Sequence, residues 1–297
     1  MKLALGPIQY FWDRERAFDF YARMADAPVD IVYLGETVCS KRRALRLPDW
    51  LELGERLIAA GKEVVLSTLT LVEAESELSY MRTITGNGRF LVEANDMAAV
   101  NMLSGRAPFI VGPHVNVYNS RTLGLMAQAG ARRWVMPMEL DRETLAAIQS
   151  SRPPGMETEV FAFGRLPLSF SARCFTARAH NLPKDDCDFR CAQYPDGMPL
   201  RTRDAQSFLN VNGIQMQSGG TYNLIHEISA FEALNVDVLR LAPQSQGMFE
   251  IIEAFRRALD GALSPSEAST AVAPHLVAGT CDGYWHNAPG MDQVWRE

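Results

Sequence analysis

The chain has 297 residues, 47% of them hydrophobic, and a formal net charge of −6. That length supports one large core of the size of a single barrel domain with additions, and the acidic balance excludes an overall field attractive to nucleic acid. No window approaches the roughly 18 uninterrupted apolar residues of a membrane span, and the short apolar start runs straight into Asp13, Arg14, Glu15 and Arg16, so no signal segment is read and a cytoplasmic protein is expected.

Taken in order, short apolar runs alternate with helix-like stretches. K-L-A-L-G-P-I near the start is followed by runs at 30–35, 63–68, 90–95, 109–114, 133–138, 158–164 and 236–243. Eight runs that are apolar nearly throughout suit parallel strands covered by helices, which predicts an α/β fold, a TIM-like (β/α)8 barrel. An open doubly wound sheet is the competing arrangement. Helical spacing with a following glycine appears at 50–60 and 121–129, and a further helix is predicted around 249–259. The rhythm breaks once, in a long insertion over 164–235 after strand seven, which contains the turn-rich hairpin signal N-G-I-Q-M-Q-S-G-G. The barrel domain is therefore assigned to 1–262, and the Pro/Ser/Ala stretch that opens 263–297 reads as a surface linker leading to a tail.

The five cysteines point to the site. Cys174, Cys187 and Cys191 share the insertion, whereas Cys39 follows the second strand. On a barrel both places lie on the C-terminal face, where sites of this fold are built, so the four thiols can converge. Four thiolates suit an iron-sulfur cluster, with Arg173, Arg178 and Lys184 nearby to favour the deprotonated ligands. Zinc accepts the same donors, although structural zinc sites usually show two close pairs and only Cys187 and Cys191 form one; unrelated buried or redox-active thiols are the third reading. A radical-SAM pattern fails because position 194 is Tyr. Cys281, near the chain end, is read as a bystander, with a swap against Cys174 as the alternative fourth ligand.

Polar residues at strand ends are the candidates for a reacting site: Glu36, Glu93, His114 with Asn116, Glu139 and Arg240, with Glu36 and His114 the preferred pair. His180, His226, His275 and His286 lack metal-type spacing, and no serine-elbow, dinucleotide or phosphate-loop motif is present. Lys41, Arg42, Arg43 and Arg46 form the best basic patch, read as a solvated helix start rather than an RNA surface.

Y-L-G-E-T-V-C-S-K-R-R-A at 33–44, L-P-L-S-F-S-A-R-C-F-T-A-R at 166–178, P-K-D-D-C-D-F-R-C at 183–191, R-W-V-M-P-M-E-L at 133–140, N-G-I-Q-M-Q-S-G at 212–219, V-D-V-L-R-L-A-P-Q at 236–244 and the terminal C-D-G-Y-W resemble segments of the collagenase-like peptidase family, in its branch of ubiquinone-biosynthesis proteins. The resemblance spans nearly the whole chain. It implies a 4Fe-4S cluster held by Cys39, Cys174, Cys187 and Cys191, with Cys281 outside the set. It further implies a heterodimer with a UbiU-like partner, and oxygen-independent hydroxylation of a prenylated quinone precursor brought by a lipid carrier protein. Electron transfer is the simpler role for a cluster with four protein ligands. An RNA hydroxylation factor of the same superfamily and a non-catalytic scaffold that stabilises a partner are the alternatives. The family's peptidase label finds no support in these residues.

Overall fold

The computed structural model describes residues 1–296. Seven parallel strands follow one another around the sheet: β1 (Lys2–Leu5), β2 (Ile31–Leu34), β3 (Glu63–Ser67), β4 (Leu91–Ala94), β5 (Phe109–Val111), β6 (Ala131–Val135) and β7 (Glu157–Gly164). The last barrel strand, β13 (Val238–Leu241), pairs with β1 on one side and β7 on the other, so the eight strands close into a (β/α)8 barrel. Each predicted run overlaps its strand; six contain it whole, whereas β6 and β7 begin before the runs at 133–138 and 158–164.

Strand alternation sorts the side chains into two layers. Outward residues such as Leu3, Val32, Val92, Trp134 and Leu239 pack under the helices and form most of the core. The barrel interior holds a small apolar plug of Ala4, Ile31, Tyr33, Val65, Ile110, Val135 and Val238. Above and around it the same strands carry charge. Arg133 bonds to Glu157, Glu63 and the Tyr33 hydroxyl, and Tyr33 donates to Glu159 at 2.5 Å. Registers that set Arg133 beside Glu157 and Val238 beside Glu159 bring these groups into one ladder.

The covering helices start as local rules require. Asp13 caps α1 (Arg14–Arg23), Asp96 caps α4 (Met97–Leu103), Asn119 caps α5 (Ser120–Ala129) and Asp141 caps α6 (Arg142–Gln149), each accepting a backbone N–H of the first turn. α2 (Leu47–Ala59) and α3 (Glu75–Thr85) complete the front of the ring, and α8 (Ile228–Ala233) and α9 (Met248–Leu259) the back.

The insertion is a small subdomain. β8 (Pro167–Phe170), β9 (Met198–Arg201), β10 (Ser207–Asn212) and β11 (Gln215–Ser218) form an antiparallel sheet in the order β8-β11-β10-β9, with α7 (Phe175–Ala179) beside it. The predicted hairpin is β10–β11, turning at Gly213, whose φ of 65° suits glycine. The chain then returns through β12 (Thr221–Asn223), antiparallel to the end of β7.

The C-terminal stretch differs from the expected linker. Residues Pro265–Val272 form α10, opened by a capping box in which Ser264 and Glu267 satisfy each other's backbone N–H groups and Pro265 sits in the first turn. Ala268 and Val272, one turn apart, are buried against the body. The tail adds β14 (Thr280–Cys281), parallel to β12, and inserts Trp285 into the core with no exposed surface. α10, β14 and Trp285 thus pack against the barrel, because i, i+4 apolar spacing outweighs a linker-like composition.

Candidate functional site

Two neighbouring regions occupy the C-terminal end of the barrel. The first is the cysteine pole. Gly35, with φ 123°, ends β2, and a Cβ there would stand 2.6 Å from the Ser67 carbonyl oxygen, so the turn requires glycine. Glu36 follows, and its carboxylate accepts the backbone N–H groups of Val38 at 2.8 Å and Cys39 at 3.0 Å, which shapes the loop presenting Cys39. Cys174 is the N-cap of α7, its sulfur accepting the Ala177 N–H at 3.4 Å. Cys187 ends one short 3-10 turn and Cys191 lies in the next, separated by Asp188 and Phe189, both with left-handed backbone.

Arg42 joins the two parts of this pole. Buried to 4% exposure, it donates to the Gln9 carbonyl at 2.7 Å and to Asn212 Oδ1 at 2.8 Å, tying the β2 loop to the β10–β11 hairpin. A polar net completes the joint: Asn212 Nδ2 donates to the Gln9 backbone carbonyl at 2.8 Å, and the side chains of Asn212, Gln215, Gln217 and Gln9 are linked by hydrogen bonds of 2.8–3.0 Å. Lys41 reaches across to Asp185 at 2.6 Å and to the Lys184 carbonyl, and Lys184 in turn contacts Glu73 and the Ala172 carbonyl. Lys41 and Arg42 are therefore not the solvated helix start read from sequence. α2 begins only at Leu47, and the two cations serve the joint, where an extended chain would expose them.

Burial pushes the Cys39 and Cys191 thiols up; Arg42 pulls both down, while Cys174 lies close enough to raise each of them. Cys39 and Cys187 both act on Lys41. The four predicted cysteines thus gather around Lys41 and Arg42, each partly exposed, whereas Cys281 is buried beside β12, where burial raises its thiol to about 12. Among the described residues no three cysteine sulfurs lie within 4.8 Å of one another. Four thiols with the buried Arg42 guanidinium alongside are a donor set that a four-thiolate cluster could use, each iron taking its own thiolate.

The second region is the barrel mouth. Arg240 donates to Glu159 at 2.6 Å and Glu93 at 2.7 Å and lies 4.1 Å over the Tyr33 ring. Burial alone would raise the Glu93 carboxyl, but Arg240 and hydrogen bonds from Ser67 and Asn95 hold it below its ordinary value. His114 borders the same narrow void of about 20 Å³, room for one water molecule, and meets Phe170 edge-on at 4.9 Å. Burial lowers His114 to about 4, so its imidazole is neutral near pH 7. A wider cleft of about 410 Å³ contains His114, Asn116 and Glu139, with Glu139 bonded to the Tyr118 hydroxyl.

The preferred pair of Glu36 and His114 does not meet in one pocket. Glu36 borders a separate cavity of about 310 Å³ with Ser40, Arg42, Leu45, Leu69 and Tyr80, while His114 belongs with Glu93, Arg240 and Glu139. Both sit at strand ends, but β2 and β5 lie across the mouth from each other with Thr68, Glu93 and Asn95 between them. Sequence reasoning does not single out Arg133, Glu159 or Gln9. For the first two the available signal is charge inside strands otherwise apolar, which burial obliges to pair.

A closed (β/α)8 barrel whose β7–β13 crossover carries a cysteine-bearing antiparallel sheet defines the class of this protein. It belongs to peptidase family U32, whose model matches residues 12–292. In structure the chain is similar to the U32 peptidase Mk0906, at 12% identity and TM-score 0.46 over 82% of this chain and 94% of that one. It is also similar to a dihydropteroate synthase from Thermus thermophilus (16%, TM-score 0.44, 88% and 92%) and to Plasmodium falciparum HPPK-DHPS (10%, TM-score 0.43, 88% and 46%).

Proposed function

We propose that this chain is a UbiV-type protein, an iron-sulfur subunit that acts with a UbiU-like partner in oxygen-independent hydroxylation of ubiquinone precursors. The sequence segments around the cysteines resemble that branch of the family. The observation that carries the reading is the gathering of Cys39, Cys174, Cys187 and Cys191 about Lys41 and Arg42. A 4Fe-4S cluster bound there would supply one-electron transfer.

The chain's own groups suit that task. Arg42 and Lys41 offset the negative charge of four thiolates, and Glu36 holds the Cys39 loop by its backbone. Leu45, Leu69 and Tyr80 give the adjacent cavity an apolar wall that suits a prenylated ring, and a lipid carrier would bring such a substrate. No helix among the described residues is long and apolar enough to cross a membrane.

The test is purification without oxygen, with iron, sulfide and zinc determined for the native chain and for each Cys→Ala variant. Iron and sulfide near four each, lost on substitution at 39, 174, 187 or 191 and kept at 281, is the expected result. Stoichiometric zinc without iron would overturn the cofactor. Reconstitution with the partner then tests the role, since unchanged hydroxylation by a cluster-free Cys174→Ala protein would remove electron transfer.

A further inference from the structure

We propose that His226, Glu227 and His286 form a second metal site, remote in sequence from the four cysteines, for a zinc-class divalent cation. The fold assembles it by pairing β12 with β14: Tyr222 lies beside Cys281, so the short 3-10 turns that follow, Ile225–Glu227 and Gly283–His286, emerge side by side. The ligand atoms of the three residues all lie within 4.8 Å of one another. Glu227 Oε1 stands 3.7 Å from His226 Nε2 and 3.4 Å from His286 Nε2. Asp282 Oδ2 closes the far side, 3.5 and 3.8 Å from the same two nitrogens. Zinc with nitrogen and oxygen ligands at about 2.1 Å in a tetrahedron spaces them about 3.4 Å apart.

The two imidazole nitrogens are the independent sign of a ligand. Both Nε2 atoms are buried without a hydrogen-bond partner among the described residues, and the His226 side chain is only 2% exposed. The Glu227 and Asp282 carboxylates face the two imidazoles from opposite sides, and a divalent cation between them balances the two negative charges. A direct charge-assisted N–H···O bond between ring and carboxylate would contract to about 2.7–2.9 Å. None of the four separations is that short. Mixed nitrogen and oxygen donors favour zinc over magnesium or calcium.

The surroundings hold the donors in place. Asp282 accepts the backbone N–H groups of Val294 at 2.5 Å and Trp295 at 3.0 Å and the Gln293 side chain at 2.7 Å. The Trp295 ring stacks on His226 at 4.3 Å with 17° between planes, fixing the imidazole and excluding solvent. The site thus clips the C-terminal segment to the turn where the insertion re-enters the barrel.

The experiment uses Zn²⁺ as probe on the full chain carrying Cys187→Ala and Cys191→Ala, stripped with chelator and then re-equilibrated. The expected result is one zinc per chain, a raised melting temperature, and an X-ray absorption edge showing only nitrogen and oxygen neighbours. Adding His226→Gln and His286→Gln should weaken zinc retention by more than about tenfold. Should that background fail to fold, the native chain and its Glu227→Gln variant serve, read by the same edge. A sulfur-only shell, no retained zinc, or equal retention by the His variants would overturn the proposal.

Discussion

Replacing Arg42 by Met tests the joint between barrel and insertion. The side chain is 1% exposed, makes two charge-assisted hydrogen bonds, to Gln9 and Asn212, and faces the Glu36 carboxylate at 4.0 Å. Met fills much of the volume but leaves the Asn212 Oδ1 acceptor unpaired, the Gln9 carbonyl with only its Asn212 N–H, and the half-buried Glu36 without its cation. Removing one partner of a buried pair costs about 3–5 kcal/mol, so Arg42→Met should lose that much stability. Arg42→Lys keeps the charge but has one head for two diverging acceptors, and its loss should be about 1.5–3 kcal/mol. Guanidinium unfolding of the reduced, chelator-treated chain, read from midpoints at constant slope, measures both. If both variants stay within about 1 kcal/mol of the native chain, the joint does not depend on Arg42 and the reasoning fails.

Arg240→Met should cost about 3–5 kcal/mol by the same logic, because Glu93 and Glu159 share that one guanidinium; the same unfolding assay would show it. His114 is lowered to about 4 by burial, so below its unfolded value the unfolded chain binds the proton first. Stability should fall by about 2–3 kcal/mol as pH drops from about 6.5 to 4, and His114→Gln should remove that part of the pH dependence in paired urea titrations. Gly35→Ala meets both a φ of 123° and a backbone oxygen 2.6 Å from the new Cβ, so a loss of at least about 2 kcal/mol is expected in the melting curve.

Much of the barrel is legible in the sequence because helix-covered parallel strands must be apolar on both faces, and the runs at 30–35, 63–68 and 236–243 announce that directly. The spacing of Cys174, Cys187 and Cys191, together with Cys39 at a strand end, likewise marks one pole of the fold. Hairpin β10–β11 follows from glycine chemistry at its turn. These are local properties, carried by neighbours along the chain.

Other features depend on register and closure. That β7 meets β13, placing Glu159 and Arg240 in one ion ladder, is a distance across the barrel that no window of sequence contains. Whether Arg42 is a surface charge or a buried tie depends on where the insertion folds back. Glu36 and His114 both stand at strand ends, as expected, yet the order of strands around the mouth keeps them in separate cavities. His226 and His286 show no metal-type spacing and meet only through the pairing of β12 with β14. The sequence by itself marked the strands, the hairpin turn and the cysteine-bearing pole, because those follow from local sterics and solvation. Tertiary structure decided which buried charges and ligands face one another, because burial makes each of them seek a partner and only the closed fold specifies which one is within reach.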